Sequence, residues 1–186
     1  VARPAGPGRN ALLAAGRRLL AGPSGPPLAR LSANAVVAEA SMSKGAFFQH
    51  FPRRRDYVTA LHRQFHDGLL DVLNRQIAGM QPGGERLRRG IDCYLGYCLN
   101  QAGTKAFLFE ARVDGDLAGE VAARNQQFAE LAAADLRQLG WADPLAVARL
   151  IVASAAEVAL IEAQYGQQDT AQRRALYALA RASEPP

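Results

Sequence analysis

The sequence predicts an all-α protein of about nine helices, and three observations carry that prediction. Apolar residues recur at three- and four-residue intervals through most of the chain. Stretches that alternate with period two are few, and β-branched residues are sparse. Prolines, glycines and capping side chains punctuate the periodic runs where helices should start and stop. With 186 residues, 49% of them hydrophobic and 21% charged, the chain is long enough and apolar enough to bury a substantial core.

Each element follows from its own residues. Residues 1–8 are rich in Pro and Gly and read as a loose arm. Leu12, Leu13, Leu19 and Leu20 form the stripe of a first helix over about 9–21, which the GPSGPP run at 22–27 must break. Ser32 is placed to cap a short helix reaching about residue 40. A second short helix spans about 43–50 and ends before Pro52. A long helix follows from about 53 or 54 to 77, with Tyr57, Leu61, Phe65, Leu69, Leu73 and Ile77 recurring every fourth residue. After the Pro82-Gly83-Gly84 break, helices are expected over 85–101 and 105–112, separated by Gly103. Asp114-Gly115-Asp116 reads as a turn, with Asp116 capping a helix that closes at Gly140. Asp143-Pro144 starts a helix that Gly166 ends, and a last helix begins at Asp169 or Thr170. No internal repeat is visible.

Charge is divided unevenly. Residues 1–57 hold nine basic and two acidic groups, whereas the remainder holds 13 basic and 15 acidic. The first third therefore suits a polyanion and the rest does not. The longest apolar stretch, 145–161, contains Arg149, Ser154 and Glu157, and the chain's first residues lack the apolar run of a secretory signal. A cytoplasmic protein that does not enter a membrane is the expectation. Cys93 and Cys98 are five apart, which on one helix points them in diverging directions, so two free thiols are expected rather than a disulfide.

The informative stretch is 31–57. Two helices of about eight residues, too short to be stable alone, meet at Ser41-Met42. Val36, Val37, Ala40, Met42, Phe47 and Phe51 supply the apolar contacts between them. The second helix opens with residues suited to a phosphate or base edge. Ser43 can cap and donate, Lys44 brings charge, and Gly45 removes a side chain where backbone and polyanion must approach. Gln49 and His50 can hydrogen-bond to bases or phosphates. Three arginines, Arg53, Arg54 and Arg55, then open the next helix, where the helix dipole prefers acids. A phosphate backbone nearby would account for them.

These residues resemble the DNA-binding domain of the TetR family. The family's pattern, roughly I-A-x-x-A-G-V-S-x-G-x-x-Y-x-H-F and then a Lys, is met here by Val36-Val37-Ala38-Glu39-Ala40-Ser41-Met42-Ser43-Lys44-Gly45-Ala46-Phe47-Phe48-Gln49-His50-Phe51, with Arg54 at the Lys position. Ser32 stands where the family usually has a capping Thr. The resemblance covers residues 9–58 and implies DNA contacts by Arg9, Ser32, Ser43, Lys44, Gly45, Ala46, Phe48, Gln49, His50 and Arg54. Three positions depart from the pattern. Ser41 replaces the turn Gly and must avoid or bear a positive φ. Phe48 replaces a Tyr and lacks its phosphate-binding hydroxyl. Ala46 offers only a methyl, which suits a thymine methyl.

The resemblance further implies a DNA-binding domain over 1–55 and an effector-binding and dimerisation domain over 56–186. An effector cavity among the long helix and those that follow would draw on Phe65, His66, Leu69, Tyr94, Cys98, Phe107, Glu110, Arg112, Phe128, Glu157 and Ile161. Aromatics at helical spacing more often belong to a core than to a pocket. The last two helices are rich in alanine: Ala146, Ala153, Ala155, Ala156, Ala159, Ala163, Ala175, Ala178 and Ala182. Close packing of such helices fits a homodimer, which a palindromic operator requires.

The implied function is a ligand-responsive regulator, repression being the family's habit, that binds double-stranded operator DNA and is released by a small molecule. Two other readings stay open: a helical architectural DNA-binding protein without effector, and a thiol-based redox or electrophile sensor. An enzyme is not expected. There is no nucleophile elbow, phosphate loop, HExxH or DxDxDG, and no cofactor is implied. His62 and His66 share a helix face at i,i+4 without an acidic residue between them, so a packed or solvated pair is favoured over a metal site.

Overall fold

The computed structural model describes residues 6–22, 30–113 and 117–181. Among them are nine helices and no strand: α1 (Pro7–Ala21), α2 (Ala33–Glu39), α3 (Lys44–His50), α4 (Arg54–Ile77), α5 (Gly84–Asn100), α6 (Ala102–Val113), α7 (Ala118–Gln138), α8 (Pro144–Tyr165) and α9 (Thr170–Ala180). The break expected at 22–27 falls mostly outside the described residues, as do the 114–116 turn with its Asp116 cap, Ala182 and the side chain of Arg112.

Local chemistry sets most of the ends. Ser32 accepts from the Ala35 N–H at 3.1 Å and Ser43 from that of Ala46 at 3.2 Å. Asp143 accepts from Ala146 at 3.1 Å, just before Pro144, and Asp169 from Gln172 at 2.9 Å. Asp56 reaches back to the Arg53 N–H at 3.0 Å, so one acid satisfies the start of α4 despite its arginines. Arg30 donates to the Leu20 carbonyl at 3.2 Å and caps the open end of α1.

One expectation is corrected. The break between α5 and α6 lies at Gln101, whose N–H donates to the Cys98 carbonyl at 3.1 Å, and Gly103 sits inside α6. The reason for glycine is tertiary. A Cβ on Gly103 would lie 1.9 Å from the backbone oxygen of Leu20 at the end of α1. Close approach, not chain termination, requires glycine there.

The small N-terminal head and the helical body share one buried core through α4. Tyr57 packs on α1, whereas Phe65 meets Tyr97 and Leu73 meets Gly90, both on α5. Tyr57 donates to the Leu12 carbonyl at 2.8 Å and lies against Gly16, where a Cβ would sit 2.1 Å from its hydroxyl. In the body, α8 packs mainly on α7 and also on α5 and α6. Glu162 is fully buried at the turn into α9. It accepts from Arg173 Nε and Nη2, each at 2.6 Å, and from the Asp169 N–H at 2.9 Å. Asp135 similarly accepts from Arg86 at 2.6 Å and from the Gly83 N–H at 2.8 Å, fixing α7 on the start of α5.

Candidate nucleic-acid interface and effector cavity

The turn between α2 and α3 is made by residues that hydrogen-bond backward. Ser41 N–H donates to Ala38 at 3.2 Å and Met42 N–H to Val37 at 2.9 Å. Ser41 takes φ 53°, so the residue standing at the family's glycine position bears the left-handed conformation. Phe47, Phe51 and Tyr57 then lock α3 to α4, with ring centroids 5.0–5.7 Å apart.

This packing leaves the other side of α3 to solvent. Ser43, Lys44, Gly45, Phe48 and Gln49 are exposed, as are Ser32 at the start of α2 and Arg54 at the start of α4. Ala46 and His50 are half-buried. The Ser43 oxygen accepts in the cap, which leaves its O–H as a donor. A Cβ on Gly45 would meet only the Ser43 hydroxyl, at 3.8 Å, so nothing inside the protein demands glycine. His50 packs against Gly8, where a Cβ would lie 2.7 Å from the imidazole. Arg9 rests over the Phe51 ring at 5.0 Å, which fixes its stem on the head. Glu39 is bound to Arg18 at 2.5 Å and Asp56 serves its cap, so both acids of the head are engaged. The ten residues assigned to DNA thus all belong to the N-terminal head, and Phe48, 44% exposed, presents an apolar ring.

A cavity of about 120 Å³ opens between α4, α5, α6, α7 and α8. Four of the sequence-assigned residues line it: Phe65, His66, Tyr94 and Glu157. Tyr94 and Phe128 also line a second, apolar cavity of about 80 Å³. Leu69, Cys98 and Phe107 are instead fully buried core side chains that line neither. Ile161 borders a separate groove beside Glu162 and Tyr165, and Glu110 is half-buried outside both cavities.

Sequence reasoning missed Lys105, Arg124, Asn125 and Phe109, which line the larger cavity. No periodicity singles them out, because what unites them is the meeting of α6 and α7 over one space. Lys105 donates to the Tyr94 hydroxyl at 3.1 Å, and Arg124 reaches Gln127 at 3.1 Å and pairs with Asp67. His62 and His66 stand on the α4 wall with ring centroids 4.3 Å apart. Burial is the main cause that brings His62 down to about 4 and His66 to about 2; Lys105 and Arg124 act in the same direction on both, while Glu120 opposes the shift at His62. Both rings are therefore neutral at physiological pH, and the Nδ1 of each lacks a hydrogen-bond partner. Burial also raises both thiols, Cys98 to about 11, the opposite of what a reactive thiolate needs.

Together these features define an all-helical protein whose basic helix-turn-helix head is joined by a long helix to a cavity-bearing body. Solved structures place that architecture more closely. A TetR-like transcriptional regulator from Rhodococcus sp. RHA1 superposes with a TM-score of 0.76 at 19% identity, over 94% of this chain and 93% of that one. Another transcriptional regulator from Rhodococcus sp. Rha1 gives 0.77 at 22% identity, over 93% and 94%. A TetR-family regulator from Pectobacterium atrosepticum gives 0.69 at 24% identity, over 96% and 95%. No protein-family model matches the chain, and no curated protein matches it. The chain has the fold of the TetR-like transcriptional regulators.

Proposed function

We propose that this chain is a transcriptional regulator of the TetR family, acting in the cytoplasm, which binds a palindromic operator as a homodimer and is released by a small molecule. The observation that carries the reading is the α3 entrance. A capped helix start presents Lys44, Gly45 and Gln49 to solvent beside Arg54, on a head whose acids are engaged. An exposed helix start with a donor hydroxyl and a lysine suits phosphate, and Gln49 one turn further suits a base edge.

The homodimer is supported by α8 and α9. Among the described residues, α8 is the one helix long and apolar enough to cross a membrane, yet only 33% of that stretch is buried. Leu150, Tyr165 and Leu179 are 70%, 76% and 64% exposed, and Ala146, Ala153, Ala175 and Ala178 are exposed with them. A second copy packed on these two helices would cover this surface and pair the two heads. Ala155 and Ala159 are spent inside the protomer.

The cavity beneath α4 is the effector site of this reading. A ligand that prefers one arrangement of α4 and α6 would change the separation of the two heads, because α4 runs into the head and α6 touches the end of α1. DNase footprinting of the region upstream of the gene tests the proposal. A protected palindrome supports it. Sequence-independent binding with a steep salt dependence would favour the architectural reading.

A further inference from the structure

We propose that the cavity lined by His62 and His66 takes an uncharged aromatic alcohol, a phenol in its simplest form. The inference rests on the effector-site reading above and names the chemistry of that site.

The ring follows from size and walls. Phe65, Leu108, Phe109 and Val121 line a space of about 120 Å³. An apolar cavity of roughly 150 Å³ is enough to hold benzene, so a single ring with few substituents is the right scale. The histidines themselves belong to an aromatic cluster. Phe65 meets His66 edge-on with centroids 5.2 Å apart, and those of His66 and Phe128 are 6.1 Å apart.

The hydroxyl follows from unmet hydrogen bonds. His62 is 1% exposed, yet its Nδ1 has no partner, and neither has that of His66. Among the described residues neither ring is hydrogen-bonded to a neighbour. Buried polar atoms are normally satisfied, and an orphan pair lining a cavity is unusual. Burial keeps both imidazoles neutral at physiological pH, so each carries one N–H and one bare nitrogen. Their ring centroids are 4.3 Å apart, close enough for one hydroxyl to accept from the first ring and donate to the second. A carboxylate only accepts and an ammonium only donates, so neither serves both rings. Asn125 adds an uncharged amide to the same lining.

The ionic groups around the space leave no charge for a ligand to answer. Arg124 of α7 pairs with Asp67 of α4 and reaches Gln127. Glu120 of α7 is held by Arg63 of α4 through two hydrogen bonds, and Lys105 of α6 donates to the Tyr94 hydroxyl of α5. At His62 the field of Glu120 opposes those of Arg124, Lys105 and Arg63, whereas at His66 Lys105 and Arg124 act without that opposition. An anion would have to draw Arg124 from Asp67 or Lys105 from Tyr94, and a cation would meet both of them beside His66. Glu157 of α8 is exposed at the rim.

Four single-ring probes separate these cases: phenol, toluene, benzoate and benzylammonium, titrated into the full chain at neutral pH and equal ionic strength by calorimetry. Phenol should bind about tenfold or more tightly than each of the others, the scale of one or two buried hydrogen bonds. His62→Phe and His66→Phe should each reduce its advantage over toluene, and circular dichroism reports whether each variant folds. In the wild-type chain with isotope-labelled histidine, saturating phenol should move the imidazole nitrogen resonances of both residues further than toluene does. Equal or tighter binding of toluene or of a charged probe overturns the proposal, as does the absence of phenol binding. Imidazole resonances that phenol leaves unmoved, or an advantage of phenol undiminished in both folded variants, overturn it too. Release of operator DNA by phenol, measured separately by fluorescence anisotropy, judges the effector reading: phenol that binds without releasing DNA contradicts that reading and leaves the chemistry of the cavity standing.

Discussion

Gly103→Ala would drive a methyl group into the backbone of another helix. The new Cβ would lie 1.9 Å from the Leu20 oxygen and 2.8 Å from its carbonyl carbon. Ordinary contact needs a separation larger by about 1.5 Å, and neither atom belongs to a side chain that can swing away. The strain has two outlets. If α1 and α6 hold their places, overpacking costs about 1–3 kcal/mol, which in a chain of this size lowers Tm by roughly 2–12 °C. If α1 moves, the head is displaced relative to the body and operator affinity falls by about the same free energy, roughly 5- to 150-fold. Either way the sum of the two losses is substantial. Gly96→Ala is the control. It lies inside α5 with nothing within 4 Å of the added Cβ, and should stabilise by about 0.5–1 kcal/mol. Thermal unfolding and fluorescence anisotropy on operator DNA read both terms. Gly103→Ala with wild-type Tm and wild-type affinity would refute the claim that this contact couples head and body.

The remaining predictions concern the head, the body, the dimer and pH. Lys44→Ala should weaken binding to every DNA sequence and reduce the slope of log affinity against log salt by about one, whereas Gln49→Ala should change sequence preference. Competition binding across a set of operator variants distinguishes the two effects. Arg173→Met strands the fully buried Glu162 with only the Asp169 N–H, and should cost about 3–5 kcal/mol in urea unfolding, while Arg173→Met with Glu162→Gln should recover part of it. Leu150→Glu places a charge on the exposed face of α8 and should yield monomers in analytical ultracentrifugation; an unchanged dimer would move the interface elsewhere. His62 and His66 titrate near 6.5 when unfolded but only at about 4 and about 2 when folded. The unfolded chain therefore binds protons first, and the stability present above pH 6.5 is lost as pH falls. The expected slope is about 1.4 kcal/mol per pH unit for each histidine, and His66→Phe should roughly halve it in urea midpoints taken from about pH 7 to 5.

What the sequence made legible was what local chemistry decides. Ser32, Ser43 and the Asp143-Pro144 pair announce helix starts because a side chain caps its own following turn. The fourfold stripe of α4 announces a buried face for the same local reason. Ser41 was legible as a question, and its φ of 53° answers it: the serine bears the turn. Non-local contacts stayed hidden. Gly103 reads as a helix break in sequence, but it is where another helix comes close. Leu69 follows Phe65 by one turn in the same buried stripe, yet only Phe65 also lines the larger cavity. Lys105 and Arg124 lie on different helices, and no sequence pattern tells that they face the same space. Glu162 carries no signal of burial beyond an apolar neighbourhood, because its partner Arg173 lies on the next helix.

The central claim is that α3, opened by Ser43, Lys44 and Gly45, reads DNA in a dimer. Footprinting on the upstream region with the wild-type chain and with Gln49→Ala tests it most directly. The account predicts a protected palindrome with half-site centres about 34–36 Å apart or an integer-turn multiple of that spacing, and an altered preference within each half-site for the variant. Protection that is uniform along the DNA, or a palindrome read identically by the variant, would contradict it.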